Sequence, residues 1–196
     1  MKFSDFFVSK DHTQLDKRTL VVLRWLAIIG QFITISTVYF VFDFNFPFYF
    51  CTGAILIGSI TNFYLQFYIK ENQLNNFSST FFLFYDLLQL SVLLYFTGGI
   101  TNPFTILIIV PAIVSSTLLT LRSTINLSIF TIVILIVLTI YYEPLPHSDN
   151  FHFHVPNYYL YAIPISIIIG LILLTYFGFR FGAESRKRTE ALNKLE

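Results

Sequence analysis

The residues best suited to chemistry fall within 85–104, YDLLQLSVLLYFTGGITNPF. The run opens as an apolar helix with one acid, Asp86, breaks at Gly98 and Gly99, and restarts at Asn102 and Pro103. Glycine tolerates positive φ, so two in succession permit a tight reversal. Asn102 suits the N-cap and Pro103 the first position of the next helix. The N–H groups of that first turn carry partial positive charge and are expected to point, unpaired, out of the helix end. The Asn102 carboxamide adds a further donor, and Tyr95, Phe96 and Phe104 supply flat apolar surface beside it. A quinone requires donors for its carbonyl oxygens, aromatic faces for its ring and an apolar route for its tail. The same residues also describe a well-capped turn that binds nothing.

Asp86 and Gln89 lie three residues apart and share a helix face. An acid inside a membrane span is costly and is a functional-site candidate by default. Arg24 sits at a similar depth on the first span, and an Arg24–Asp86 pair between the first and third spans lowers the cost of both. The pair reads either as a salt bridge that fixes packing or as a switch coupled to protons or to a signal. His147, His152 and His154, with Glu143 and Asp149 nearby, have the ligand types for zinc or copper, or form a solvated loop. Cys51 has apolar neighbours and no basic partner, so it reads as inert packing. As the only cysteine it excludes an internal disulfide. Pro111 and Pro164 read as mid-span kinks. No Gly-rich phosphate loop, HExxH, GxSxG or acid-rich prenyltransferase motif occurs.

The elements that must hold these residues are membrane helices. Charged residues make up only 12% of the chain and hydrophobic ones 55%, where a soluble domain carries about 25% charged. The apolar runs predict an all-α polytopic fold of six spans at 20–42, 47–69, 80–97, 103–121, 124–142 and 157–181. Residues 70–79 read as a polar loop, and Arg122 marks a tight turn. Spans three to five are the shortest. Residues 1–19 form a polar leader whose Phe3, Phe6, Phe7 and Val8 suit the headgroup layer, with no cleavable signal peptide. All twelve Lys and Arg lie at the leader, the start of span one, the even-numbered turns and the tail. The other loops carry only Asp43, Glu143 and Asp149. The positive-inside rule therefore places both termini in the cytoplasm. A net charge of +1 gives no footprint for a nucleic-acid partner.

After span six, residues 182–196 continue as a charged helix. Phe181, Ser185, Arg188, Leu192 and Leu195 recur at spacings of four, three, four and three, the seam of a short coiled coil. That pattern suits a signalling linker that pairs two chains; the other reading is an amphipathic stub on the headgroups. The chain stops at Glu196 in mid-helix without a C-cap residue, which suggests a unit cut before an output domain.

LRWLAIIGQ at 23–31, the 85–104 run with its intact Gly-Gly-x-x-Asn-Pro-Phe element, and the charged exit helix together resemble the membrane sensor half of RegB/PrrB-type redox-responsive histidine kinases. The resemblance covers nearly the whole chain in order. It implies a bacterial inner-membrane sensor in a two-component system, dimeric through its C-terminal helix and acting on a response regulator. It also implies that Gly98, Gly99, Asn102, Pro103 and Phe104 form a ubiquinone-sensing loop, with Tyr95 and Phe96 beside it. Arg24, Trp25 and Gln31 match the family pattern without a firm role. The phospho-accepting histidine motif and the ATP-binding boxes are absent, so ATP belongs to a kinase part this chain lacks. Cys51 does not match the family's redox cysteine. Two other classes stay open: a small transporter subunit whose substrate meets Asp86, Gln89 and Asn62, and a membrane anchor or scaffold.

Overall fold

The computed structural model describes residues 15–146 and 155–193. Six helices form the bundle: α1 (Lys17–Phe40), α2 (Phe48–Phe67), α3 (Asn76–Phe96), α4 (Val110–Leu118), α5 (Leu121–Ile140) and α6 (Asn157–Asn193). Five are long and apolar enough to cross a membrane. The fourth crossing is a composite: a 3-10 segment, Pro103–Ile109, runs directly into α4. The tighter winding rises more per residue, so these sixteen residues span about 27 Å. That approaches a hydrocarbon core of about 30 Å.

Pro111 lies midway along the fourth crossing, where the 3-10 winding passes into α4. Proline has no N–H to offer the Leu107 carbonyl four residues back, and Val110 N–H donates to that carbonyl instead. Pro164 lies inside α6, which continues past it.

Local capping explains where the helix starts depart from expectation. Asn75 accepts from Ser78 N–H, so α3 begins at Asn76, inside the stretch expected to be loop. At 21 residues α3 is longer than α2, and it is not among the short spans. Thr120 caps α5 by accepting from Ser123 N–H, which places Arg122 in the first helical turn and leaves the reversal to Leu119 and Thr120. Asp16 caps α1 by accepting from Thr19 N–H, so the first helix starts three residues before Leu20.

Apolar side chains cover the outside and polar ones fill the inside. Leu26, Ile60, Phe77, Ile136 and Phe177 are exposed, whereas Arg24, Asn62, Gln89, Thr105, Ser115 and Thr131 are buried. This inversion suits a hydrocarbon solvent, in which small and polar residues hold helices together. Gly178 and Gly182 of α6 let it close onto α4: a Cβ at Gly178 would collide with Ser116 Oγ, and one at Gly182 with the Thr117 carbonyl. Arg186 Nη1 donates to that same carbonyl at 3.3 Å.

One end of the bundle gathers the basic residues. A two-residue antiparallel ladder pairs β1 (Leu15–Asp16) with β2 (Gln73–Leu74), and both leucines are buried. Lys17 Nζ donates to the Ile69 carbonyl at 2.7 Å, closing the end of α2. α6, at 37 residues or about 55 Å, is far longer than a bilayer core and projects past this end. The leader's Phe3, Phe6, Phe7 and Val8, the loop histidines His147, His152 and His154, and Leu195 lie outside the described residues.

Candidate functional site

The α3–α4 hairpin sits at the opposite end. Gly98 (φ 109°) and Gly99 (φ 53°) both occupy left-handed conformations. They are also crowded: a Cβ at Gly98 would come within 2.6 Å of Leu145 Cγ, and one at Gly99 within 2.8 Å of the Leu138 carbonyl. Glu143 N–H donates to the Tyr95 carbonyl at 2.9 Å, laying the segment after α5 over the hairpin.

The expected unpaired donors are not there. Asn102 Nδ2 donates to the Thr97 carbonyl at 2.8 Å and to Thr97 Oγ1 at 2.7 Å. Phe104 N–H donates to Asn102 Oδ1 at 2.8 Å, and Thr105 N–H to the Asn102 carbonyl at 3.0 Å. Thr105 Oγ1 donates to the Gly99 carbonyl at 2.8 Å. The physical reason is the setting: polar groups at membrane depth must be satisfied internally, and the short 3-10 turn at Gly99–Thr101 brings Thr97 and Asn102 together. Asn102 is the knot of the hairpin.

The two constellations read from sequence share one groove. A cavity of about 610 Å³ runs between α1, α3 and the fourth crossing. At one end lie Leu20 and Arg24; at the other lie Phe42, Phe46, Asn102, Pro103 and Phe104. Asp86, Gln89 and Gln31 line it between those ends. Gly98, Gly99, Tyr95 and Phe96 stay outside it. Phe96 instead stacks on Phe50 at 5.6 Å between centroids, and Tyr95 meets Phe96 edge-on at 5.2 Å.

Two polar rungs cross this groove's wall. In the first, Arg24 Nε donates to Asp86 Oδ1 at 2.8 Å, as the matched depths predict. Arg24 Nη2 donates to Thr61 Oγ1 at 2.8 Å, and the guanidinium lies 5.2 Å from the Phe82 ring centre and 5.5 Å from that of Tyr85. Nη1 is enclosed without a partner among the described residues. In the second rung Gln89 Nε2 donates to Gln31 Oε1 at 3.0 Å. Gly58 of α2 makes room for it: a Cβ there would lie 2.7 Å from Gln89 Cδ.

Sequence reasoning missed Thr61, Gly58 and the Gln31–Gln89 pairing. The spacing held a signal for the last: Gln31 lies two helical turns from Arg24, and Gln89 one turn from Asp86, so both pairs share their faces. Asn62, grouped with Asp86 and Gln89 under the transporter reading, does not line the groove; its Nδ2 donates to the Val21 carbonyl at 3.2 Å. Cys51 is fully buried in apolar packing. Among the described residues no group of His, Cys, Asp and Glu is placed to hold a metal ion.

Six helices, three of whose crossings enclose a groove with an ion pair in its wall, define an all-α polytopic membrane domain. The chain belongs to the PilS-like transmembrane domain family, whose model matches residues 18–189. It is also 33% identical over 176 residues to the sensor histidine kinase RegB of Cereibacter sphaeroides, an alignment covering 89% of this chain. The aligned stretch corresponds to 38% of that protein's length. No solved structure matches the chain.

Proposed function

We propose that this chain is the membrane sensory module of a redox-responsive histidine kinase and that it admits a quinone, of the ubiquinone type, into the groove. The observation that carries the reading is the continuity of that groove, from the Arg24–Asp86 rung to Asn102, Pro103 and Phe104. Its volume of about 610 Å³ falls in the range of about 300–1,000 Å³ typical of small-molecule sites. The kinship with a sensor histidine kinase supports the same reading.

In this scheme the hairpin acts as a wall. Its internal bonds hold Pro103 and Phe104 against the ring or tail, and Gly98 and Gly99 let the segment after α5 press on it. Tyr95 and Phe96 stiffen it from behind. Occupancy changes how the fourth crossing packs. The Gly178–Gly182 joint passes that change to α6 and so to the helix leaving the bundle. A ligand shifts such an equilibrium only by its differential affinity for the two states. The exit helix keeps Phe181 and Leu192 exposed, as a homodimer seam requires. In this reading both termini lie in the cytoplasm, the side the positive-inside rule favours for the Lys and Arg of this chain. There a kinase part using ATP and a response regulator would complete the two-component pathway in a bacterial inner membrane.

The test is equilibrium binding of a short-tailed ubiquinone to the purified chain in nanodiscs. Saturable binding is expected, weakened about three- to tenfold in Phe104→Ala, which truncates a groove-lining residue that is 45% exposed. Absence of saturable binding by the wild-type protein refutes the reading.

A further inference from the structure

A smaller cavity of about 260 Å³ lies between α5 and α6, and among the described residues only those two helices line it. It runs from Leu121 to Ile132 on α5 and from Ile172 to Phe179 on α6. Ile125, Ile129, Ile172 and Tyr176 are exposed, so this cleft opens on the surface that faces lipid. Two of its hydroxyls are turned to their own helices: Thr124 Oγ1 donates to the Thr120 carbonyl and Thr175 Oγ1 to that of Leu171. The stretch of α5 that lines it rises about 16 Å, half of a hydrocarbon core of about 30 Å. The cleft is thus one leaflet deep, and it lies in the leaflet at the basic end of the bundle.

The mouth at that end carries Arg122 and Arg180. Arg122 precedes Ile125 and Ile129 by three and seven residues, and Arg180 follows Tyr176 and Ile172 by four and eight, so each shares the helix face that lines the cleft. Both are exposed, and neither belongs to an ion pair among the described residues. Glu184, one turn beyond Arg180, is paired with Arg188 at 2.8 Å instead. The first turn of α5 contains no acid, so the partial positive charge of that helix end meets no carboxylate of its own helix. We infer that the cleft binds an anionic phospholipid of that leaflet, with one acyl chain against α5 and α6 and the phosphate between Arg122 and Arg180. A zwitterionic lipid brings its own cation to the same place and is disfavoured. The bound lipid bridges α5 to α6, the helix that leaves the bundle. This site stands apart from the groove of α1, α3 and the fourth crossing and needs no quinone.

The test titrates the purified chain in detergent with dioleoylphosphatidylglycerol or dioleoylphosphatidylcholine and counts bound lipids by native mass spectrometry. The wild type is expected to hold one phosphatidylglycerol in preference to phosphatidylcholine. One basic side chain beside an anionic lipid corresponds to about fivefold in affinity. Arg122→Gln and Arg180→Gln should therefore each weaken phosphatidylglycerol binding about fivefold and leave phosphatidylcholine within about twofold of wild type. Ser128→Phe keeps both charges and fills the cleft with a ring, so it should displace the lipid as well. Lys70→Gln removes an exposed charge from the same end of the bundle but away from the cleft, and should bind as the wild type does. Equal losses in Lys70→Gln, or unaltered binding in Ser128→Phe, would reveal only a diffuse attraction to the basic end and overturn the site. Equal affinity of the wild type for the two lipids overturns it too.

Discussion

Removing one partner of the Arg24–Asp86 pair should cost far more than removing both. The Arg24 side chain is only 2% exposed, and Asp86 is 25% exposed. Asp86→Leu leaves a guanidinium enclosed by Phe82, Tyr85 and Thr61 without its carboxylate. Breaking a buried pair from one side costs about 3–5 kcal/mol, and the partial exposure of Asp86 argues for the lower figure. For a chain of this size that is a fall in Tm of about 6–12 °C. Arg24→Met alone should fall by a similar amount. The double variant removes both charges, and Thr61 Oγ1 keeps its bond to the Gly58 carbonyl at 2.9 Å, so no hydroxyl is orphaned. Its Tm should return to within about 4 °C of wild type. The chain carries its own reporter: Cys51 is the single cysteine and fully buried. A fluorogenic maleimide therefore reads unfolding directly. A double variant whose loss equals the sum of the two single losses would refute the pairing argument.

The hairpin and the exit helix yield further expectations. Asn102→Ala removes an N-cap and both Nδ2 bonds, so thermal unfolding should begin about 3–6 °C lower, corresponding to about 1.5 kcal/mol. Gly98→Ala must place a side chain at φ 109° against Leu145, whereas Gly170→Ala enters open space; only the first should lower Tm, and equal melting of the two would contradict the packing described. Gly182→Leu should pry α6 from Thr117 and abolish ligand control in a fusion of this chain to a kinase core, with quinone affinity within twofold of wild type. Retained control in that fusion would show that the signal leaves the bundle elsewhere.

The sequence exposed the large pattern because each part of it rests on one-dimensional chemistry. Long uncharged runs require membrane helices, and the placement of Lys and Arg requires six of them rather than five or seven. The Arg24–Asp86 bond was legible because two opposite charges at equal depth in a bilayer have few alternatives to each other. The hairpin's glycines were legible for the same reason, since their φ values admit little else. Its hydrogen bonds were not. Asn102 reads as a donor for a ligand until the turn geometry brings Thr97 within 2.7 Å of it. The Gln31–Gln89 rung likewise depends on Gly58 of a third helix, a contact no periodicity announces. Helix starts at Asn76 and Leu121 were displaced by single capping side chains: Asn75 within the stretch that read as polar loop, and Thr120 within what read as the end of span four.

The most direct test of the groove as a quinone site is photolabelling with a short-tailed azidoquinone, followed by mass spectrometric mapping of the labelled peptides. Labels should fall within α1 around Gln31 and in the stretch from Asn102 to Leu107, and excess unlabelled ubiquinone should suppress them. Labels confined to lipid-facing positions such as Ile136 or Tyr161, and indifferent to competitor, would contradict it.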